Sequence, residues 1–211
     1  MKKCLYFAEN QFFSDTSTSL WVGYGFHSDG MWRKTPIPFE KSGLMIDDRF
    51  LPNRVGLTEA IHTLSDWQGL IVLDFERPYS AILADFVFRL AGKRLILPPT
   101  YSNAQHEAVI VGPWQGDIGF SDWLSIQKEK YGKIVLDGFP LRVQCSPGGH
   151  RLPWNGPLPN PGFPCTGLGC IHRRLSDGSF LYWDTMQTLA ARLEAADVPF
   201  ILFCSDLEAL P

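Results

Sequence analysis

The chain has 211 residues, of which 45% are hydrophobic and 19% charged, and its formal net charge is −3. This composition excludes an intrinsically disordered chain, which would carry fewer apolar residues and a higher net charge. No basic block is present, which argues against a nucleic-acid partner, because phosphate-backbone binders concentrate Lys and Arg on one surface. The length predicts a single domain that spans residues 1–211.

The N-terminal segment begins with two lysines, but the apolar run after them is interrupted by Glu9 and Gln11 before a signal-peptide core can form. No apolar run approaches the ~20 residues that span a bilayer. We therefore expect a cytoplasmic protein without a membrane partner. The odd number of cysteines, with Cys204 in an apolar run, favours reduced thiols and a reducing compartment.

From residue 43 to residue 114, short apolar runs alternate with helix-length segments, which is the pattern of βα units around a parallel sheet. The runs are apolar on both faces, as expected of strands buried between helices or in a barrel. The predicted strands are residues 44–46, 70–73, 94–97 and 108–111. Apolar side chains at helical spacing predict helices over 57–67, with Thr58 as N-cap, and over 80–90.

Two further βα units follow along the chain. One runs from Asp122 into a strand at 133–136, and the other from a helix at 184–196 into a strand at 199–203. Asp184 and Gln187 are placed to form a capping box at the start of the second helix.

An additional strand around Tyr6 or Val22 brings the total to seven or eight, which predicts a compact (β/α)8 barrel. Such barrels usually need about 250 residues, so one or two helices must be replaced by loops. A doubly wound open sheet is the alternative. Residues 145–179 are rich in Pro and Gly and predict a long irregular loop of the kind that forms lids or binding loops.

Two carboxylates, Asp74 and Glu76, follow the second of these strands. Alternate side chains of an extended chain share a face, so both carboxylates point the same way as Val72. In a barrel, this end of the strand opens onto the face where active sites are built. Like charges held together there raise the pKa of one carboxyl, which can then protonate a glycosidic oxygen at neutral pH.

The ends of neighbouring strands add polar and aromatic side chains to the same edge, as expected of a site collected from several βα loops. These residues are Asp47, Arg49, Tyr101, Trp114, Gln115, Asp137 and Arg142. We predict that they line a cleft for a small-molecule or carbohydrate substrate. The structural alternative is that Glu76 pairs with Arg77 or Arg49 while Asp74 caps the following loop.

The segment Leu73-Asp74-Phe75-Glu76 resembles the end of the Asp-Gly-x-Asp-x-Asp-x-Glu strand of family 18 glycosidases. The resemblance implies a (β/α)8 barrel hydrolase in which Glu76 is the proton donor and Asp74 orients a substrate acetamido group. It covers residues 69–76 and departs from the pattern at Gly69, Leu70 and Val72. The chain also resembles family 25 lysozymes in part, since these are barrels with an Asp-x-Glu strand. Their N-terminal motif is not found in this sequence.

Tryptophans in loop-like sequence suggest a second kind of function, because flat rings stack on the apolar faces of sugars. The alternative to an enzyme is therefore a non-catalytic, barrel-like protein that binds a small ligand, a carbohydrate or a protein partner through aromatic loops. The tryptophans concerned are Trp21, Trp32, Trp114, Trp154 and Trp183.

A bound zinc ion within the irregular segment is a further alternative. Its candidate ligands are Cys145, His150, Cys165, Cys170 and His172. Neither Cys-x4-Cys nor Cys-x4-His is a common zinc-binding spacing. The glycine pairs in the chain also lack the strand-to-helix setting of a phosphate loop. We therefore predict no metal and no cofactor.

Overall fold

The computed structural model of the chain describes residues 4–8, 18–33, 43–103, 106–116, 118–165 and 168–203. Cys204 lies outside these ranges. Within them, no helix combines the length and the apolar character needed to cross a membrane.

Eight strands form a closed barrel in which β1 lies between β2 and the last strand, β13. All neighbours run parallel except β1, which is antiparallel to both of its partners. The barrel strands are β1 (Cys4–Ala8), β2 (Thr18–Tyr24), β3 (Gly43–Asp47), β4 (Ile71–Asp74), β5 (Leu95–Leu97), β6 (Ala108–Val111), β7 (Ile134–Asp137) and β13 (Phe200–Phe203). The four strands predicted between residues 43 and 114 are confirmed as β3 to β6. The strands close into a barrel and do not form the doubly wound open sheet.

Four α-helices alternate with the parallel strands in the described part of the chain. They are α1 (Arg54–Ser65), α2 (Ala81–Arg89), α3 (Phe120–Tyr131) and α4 (Met186–Ala196). The described residues between β5 and β6 form a 3-10 turn, Pro99–Tyr101, in place of an α-helix. Because β1 is antiparallel and the described part of the β5–β6 connection contains no α-helix, the fold is an incomplete (β/α)8 barrel, as the chain length requires.

The two predicted helix caps were wrong. The side chain of Asn53, not Thr58, caps α1 by accepting a hydrogen bond from the Gly56 N–H at 2.8 Å. Thr185 and Thr188 form the capping box of α4.

A second, antiparallel sheet is inserted between β7 and α4, where the sequence predicted a long loop. Its strands are β8 (Arg142–Cys145), β9 (Arg151–Pro153), β10 (Phe163–Pro164), β11 (Ile171–Arg174) and β12 (Phe180–Trp183). Their order in the sheet is β10-β11-β12-β8-β9. Because β7 runs toward the carboxyl edge of the barrel before the chain enters β8, the insertion starts at the edge that carries the predicted site.

The barrel interior is filled by apolar side chains, so it is a packed core and not a pore. Its buried members are Leu20, Met45, Leu70, Val72, Ile96, Ala108, Val135 and Ile201. Two larger apolar clusters fill the space between the strands and the helices outside them. Polar groups at the strand ends consequently stand above an apolar floor.

Candidate active site

Three barrel strands end in an aspartate two residues after an interior side chain. The pairs are Met45 and Asp47 in β3, Val72 and Asp74 in β4, and Val135 and Asp137 in β7. Alternate side chains of a strand share a face, so these three carboxylates face the mouth of the barrel. The strand register pairs Asp47 directly with Asp74. The predicted orientation of Asp74 therefore agrees with the position of β4 in the barrel.

An open cleft of about 570 Å³ lies at the carboxyl ends of β3 and β4. This volume is within the roughly 300 to 1,000 Å³ that small-molecule sites occupy. The cleft is lined by Asp47, Asp48, Arg49, Asp74, Glu76, Arg77 and Pro78. Four of these residues were predicted from the sequence, whereas Asp48, Arg77 and Pro78 were missed.

Burial raises the pKa of Asp74 from 3.8 to about 6, and the negative charges of four nearby carboxylates add to the rise. In order of effect, those carboxylates belong to Glu76, Asp137, Asp48 and Asp47. Within the described part of the chain, Asp74 has no salt bridge that would stabilise its charged form. The cleft thus contains a carboxyl group that keeps its proton up to about pH 6.

Glu76 is exposed and lies beyond the end of β4. Its carboxylate makes no salt bridge among the described residues, so the expected alternative of pairing with Arg77 or Arg49 is not what forms. The guanidinium of Arg77 instead donates to the backbone carbonyl of Arg49 at 2.6 Å. The Glu76 side chain therefore stays available to a molecule in the cleft.

Asp47 is held from three sides. Its carboxylate forms a salt bridge with Arg33 at 3.3 Å and accepts a hydrogen bond from the Arg49 N–H at 3.2 Å. Gly25, at φ +150°, packs so closely that a Cβ there would lie 2.7 Å from the Asp47 carbonyl oxygen. These contacts fix one wall of the cleft.

Tyr101 was predicted to line the cleft, but its ring is buried behind it. The hydroxyl accepts a hydrogen bond from the Ser80 N–H at 3.0 Å, and the ring packs edge-on against Phe75 with centroids 5.7 Å apart. On its other side Tyr101 stacks on Tyr79. Tyr101 therefore supports the segment that follows β4 and does not form a wall of the cleft.

Trp114, Gln115 and Arg142 also lie outside the cleft lining. The indole N–H of Trp114 donates to the Ile118 carbonyl at 3.0 Å, and its partly buried ring packs against the core cluster that contains Phe120 of α3. Gln115 is exposed and donates to the carbonyl of Pro113. Arg142 lies in the inserted sheet, where β8 pairs with β12. Asp137, which was also predicted to line the cleft, is not among its lining residues, but its negative charge contributes to the raised pKa of Asp74.

Two of the tryptophans predicted to stack on sugars belong to the core. Trp32 and Trp183 are each 3% exposed. Trp154 is partly buried and packs over Gly156. Stacking on a sugar requires an exposed ring, so Trp32 and Trp183 cannot contribute to it.

The cysteine-rich segment contains a disulfide between Cys165 and Cys170. The reduced state predicted for the cysteines does not apply to this pair, and a disulfide leaves neither thiolate free to bind zinc. Within the described ranges, no three His, Cys, Asp or Glu side chains are grouped closely enough to hold a metal ion.

No known family model matches the sequence, and no curated protein matches it significantly. A solved structure shares the fold. It is the protein named as the sporulation-specific glycosylase YdhD of Bacillus subtilis, with a TM-score of 0.57 and 9% sequence identity. The alignment covers 95% of this chain and 97% of YdhD. At this identity the likeness to YdhD concerns the barrel architecture and not the residues of the site.

The raised pKa of Asp74 predicts how stability changes with pH. Because the folded-state pKa is about 6 and the unfolded value is near 3.8, the folded protein holds this proton more tightly. Its contribution to stability is therefore full below about pH 4 and is lost as the pH rises through 6. Asp74→Asn, which is neutral throughout, should raise the free energy of unfolding at pH 7 by about 1–2 kcal/mol, after a discount for partial exposure.

Urea unfolding at pH 4.5 and at pH 7.5 tests this expectation. The advantage of Asp74→Asn over the wild type should be larger at the higher pH. Asp66→Asn, which changes an exposed carboxylate at the end of α1, is the matched control and should show no such difference. An advantage of Asp74→Asn that does not change with pH would contradict the raised pKa.

Proposed function

We propose that the protein is a glycosidase-type hydrolase that cleaves a glycosidic bond at the mouth of the barrel. The observation that carries the proposal is a pair of carboxyl groups in one open cleft: Asp74, whose pKa is raised to about 6, and the exposed Glu76, which has no salt bridge among the described residues. Cleavage of a glycosidic bond needs a carboxyl that can deliver a proton to the leaving oxygen near the working pH. The local resemblance of residues 73–76 to family 18 glycosidases supports the same pair.

In the proposed reaction, Glu76 donates its proton to the glycosidic oxygen as the bond from that oxygen to the anomeric carbon breaks. The proton of Asp74 then passes to the Glu76 carboxylate. The positive charge that develops on the sugar ring is stabilised by the carboxylates of Asp47 and Asp137. Water supplies a hydroxyl group to the anomeric carbon, and its remaining proton returns to Asp74.

A carbohydrate substrate is supported by the edge of the cleft. Tyr79 directly follows the lining residue Pro78 and is 65% exposed. Its ring is held in place by stacking on Tyr101, with centroids 5.7 Å apart and planes at 26°. An exposed ring held in a fixed orientation can stack on the apolar face of a sugar. Arg49 and Arg77 add hydrogen-bond donors for hydroxyl or carbonyl oxygens at the same rim.

Hydrolysis of a panel of fluorogenic glycosides, including N-acetylglucosaminides, tests the proposal. The wild type should release the fluorophore, and its kcat/KM should fall as the pH rises through about 6, because Asp74 then loses its proton. Asp74→Asn should lose this decline along with most of its activity. Calorimetric binding of oligosaccharides without any hydrolysis would instead identify a non-catalytic carbohydrate-binding protein.

A further inference from the structure

Asp48 is a buried carboxylate that the proposed reaction does not use. It directly follows the last residue of β3 and is 4% exposed. A buried charge is costly unless it is paired or fully hydrogen-bonded. Its two oxygens accept hydrogen bonds from the backbone N–H groups of Glu76, at 3.2 Å, and of Arg77, at 2.9 Å.

These bonds begin where the strand pairing ends. The register of β3 and β4 stops at the pair Asp47 and Asp74. Beyond that point, the Asp48 side chain takes the place of backbone carbonyls as the acceptor for the β4 segment. Arg77 reinforces the link, because its guanidinium donates a hydrogen bond to the backbone carbonyl of Arg49. The backbone that carries Glu76 is thus tied to the end of β3 by side chains.

We infer that Asp48 is a positioning residue that fixes the backbone of Glu76, and through it the position of the Glu76 carboxylate in the cleft. The inference rests on the proposed function, because it assigns Asp48 a part in the same reaction. A proton donor placed 1 Å from its productive position loses much of its effect, since proton transfer requires hydrogen-bond distance. Asp48 need not touch the substrate to act in this way.

The chain provides a matched control on the inserted sheet. Asp177 also uses its carboxylate to hold a turn, by accepting a hydrogen bond from the Ser179 N–H at 2.9 Å. It lies outside the cleft lining. Asp177→Asn therefore removes the same charge from a comparable loop contact, and it should leave both turnover and the Glu76 backbone unchanged.

Two variants of Asp48 separate folding from positioning. Asp48→Asn keeps the shape but presents only one acceptor oxygen to the two N–H groups, whereas Asp48→Ala removes both acceptors. Hydrogen exchange should show protected amides at Glu76 and Arg77 in the wild type and faster exchange in Asp48→Asn. If Asp48→Ala does not fold, Asp48→Asn alone still decides the question.

On a glycoside that the wild type hydrolyses, Asp48→Asn should lower kcat at least 10-fold with little change in KM. The pH at which activity declines should also shift downward, because one of the charges that face Asp74 is removed. The charged groups around Asp74 are Glu76, Asp137, Asp48 and Asp47, with Arg49 and Arg77 at the rim. A purely structural contact would lower the melting temperature and leave kcat unchanged.

The outcomes distinguish the two proposals. Wild-type kcat and unchanged amide exchange in Asp48→Asn, with activity lost in Glu76→Gln, would overturn the role of Asp48 alone. Full activity of Glu76→Gln would overturn the proposed function and, with it, the role of Asp48. Loss of activity in both variants, with Asp177→Asn active, is the result that we expect.

Discussion

Replacing Glu76 with Gln should lower kcat at least about 100-fold on any glycoside that the wild type hydrolyses, which is the usual contribution of a general acid. Gln has nearly the same shape as Glu but carries no transferable acidic proton. The Glu76 side chain is exposed and has no salt bridge among the described residues. The substitution therefore removes the acidic group without breaking an ion pair, and the melting temperature should not fall.

The matched control for this prediction is Glu129→Gln on the exposed side of α3, which makes the same change of charge outside the cleft. Steady-state kinetics with an activated aryl glycoside add a second test. Such a leaving group needs little protonation, so the defect of Glu76→Gln should be smaller on it than on an oligosaccharide. Equal loss on both kinds of substrate would contradict the assignment of Glu76 as the acid.

The parallel part of the fold was accessible from the sequence because its strands are buried on both faces. The runs at 70–73 and 108–111 are continuously apolar, and each is bounded by turn residues. Such runs stand out from the helices between them, and the structure places β4 and β6 over them. The closing role of β1 was not accessible, because strand direction in a barrel depends on partners that are distant in the sequence.

The inserted sheet was missed for a different physical reason. Its strands have two to four residues and are joined through Pro-rich and Gly-rich turns. Only one face of such strands needs to be apolar, so β11, with the sequence Ile-His-Arg-Arg, reads as a polar loop. Contacts between neighbouring strands stabilise these short strands, and such contacts cannot be predicted from the sequence pattern of one strand alone.

The candidate site was predictable where strand periodicity decides orientation. Alternation from Val72 places Asp74 at the barrel mouth, and the same step from Met45 places Asp47 there. Asp48 was missed because alternation directs it away from the mouth, and its partners lie 28 and 29 residues further along the chain. Tyr101 was assigned to the cleft because its position after a strand does not show whether the side chain lines the cleft or packs beneath the residues that do.

A buried ion pair joins the inserted sheet to α4. Asp184 follows β12 and is 0% exposed, and Arg192 in α4 is 4% exposed. The guanidinium donates to the Asp184 carboxylate through both terminal nitrogens, one of them at 2.7 Å. Asp184 also accepts the Leu141 N–H at 2.6 Å, and the Arg192 guanidinium lies 4.8 Å from the centre of the Trp114 ring. One pair thus connects both ends of the insertion with the barrel.

Asp184→Asn should lower the free energy of unfolding by about 3–5 kcal/mol, because it leaves the charge of Arg192 buried without a counter-charge. For a chain of this length, such a loss corresponds to a fall in melting temperature of roughly 6 to 20 °C. Arg192→Lys should also lower the free energy of unfolding although it keeps the positive charge, since a single ammonium group cannot reproduce the two-nitrogen contact with Asp184. Thermal and urea unfolding followed by circular dichroism measure both variants.

The exposed pair of Asp85 and Arg89 on α2 provides the comparison for this effect. It spans one turn of helix at 2.9 Å with both side chains largely in solvent. Asp85→Asn should cost no more than about 0.5 kcal/mol, because water already screens the pair. If Asp184→Asn cost no more than Asp85→Asn, Arg192 would have to gain water or another partner, and the insertion would not depend on this pair. A large difference between the two variants would assign the attachment of the inserted sheet to a buried charge pair and not to apolar packing alone.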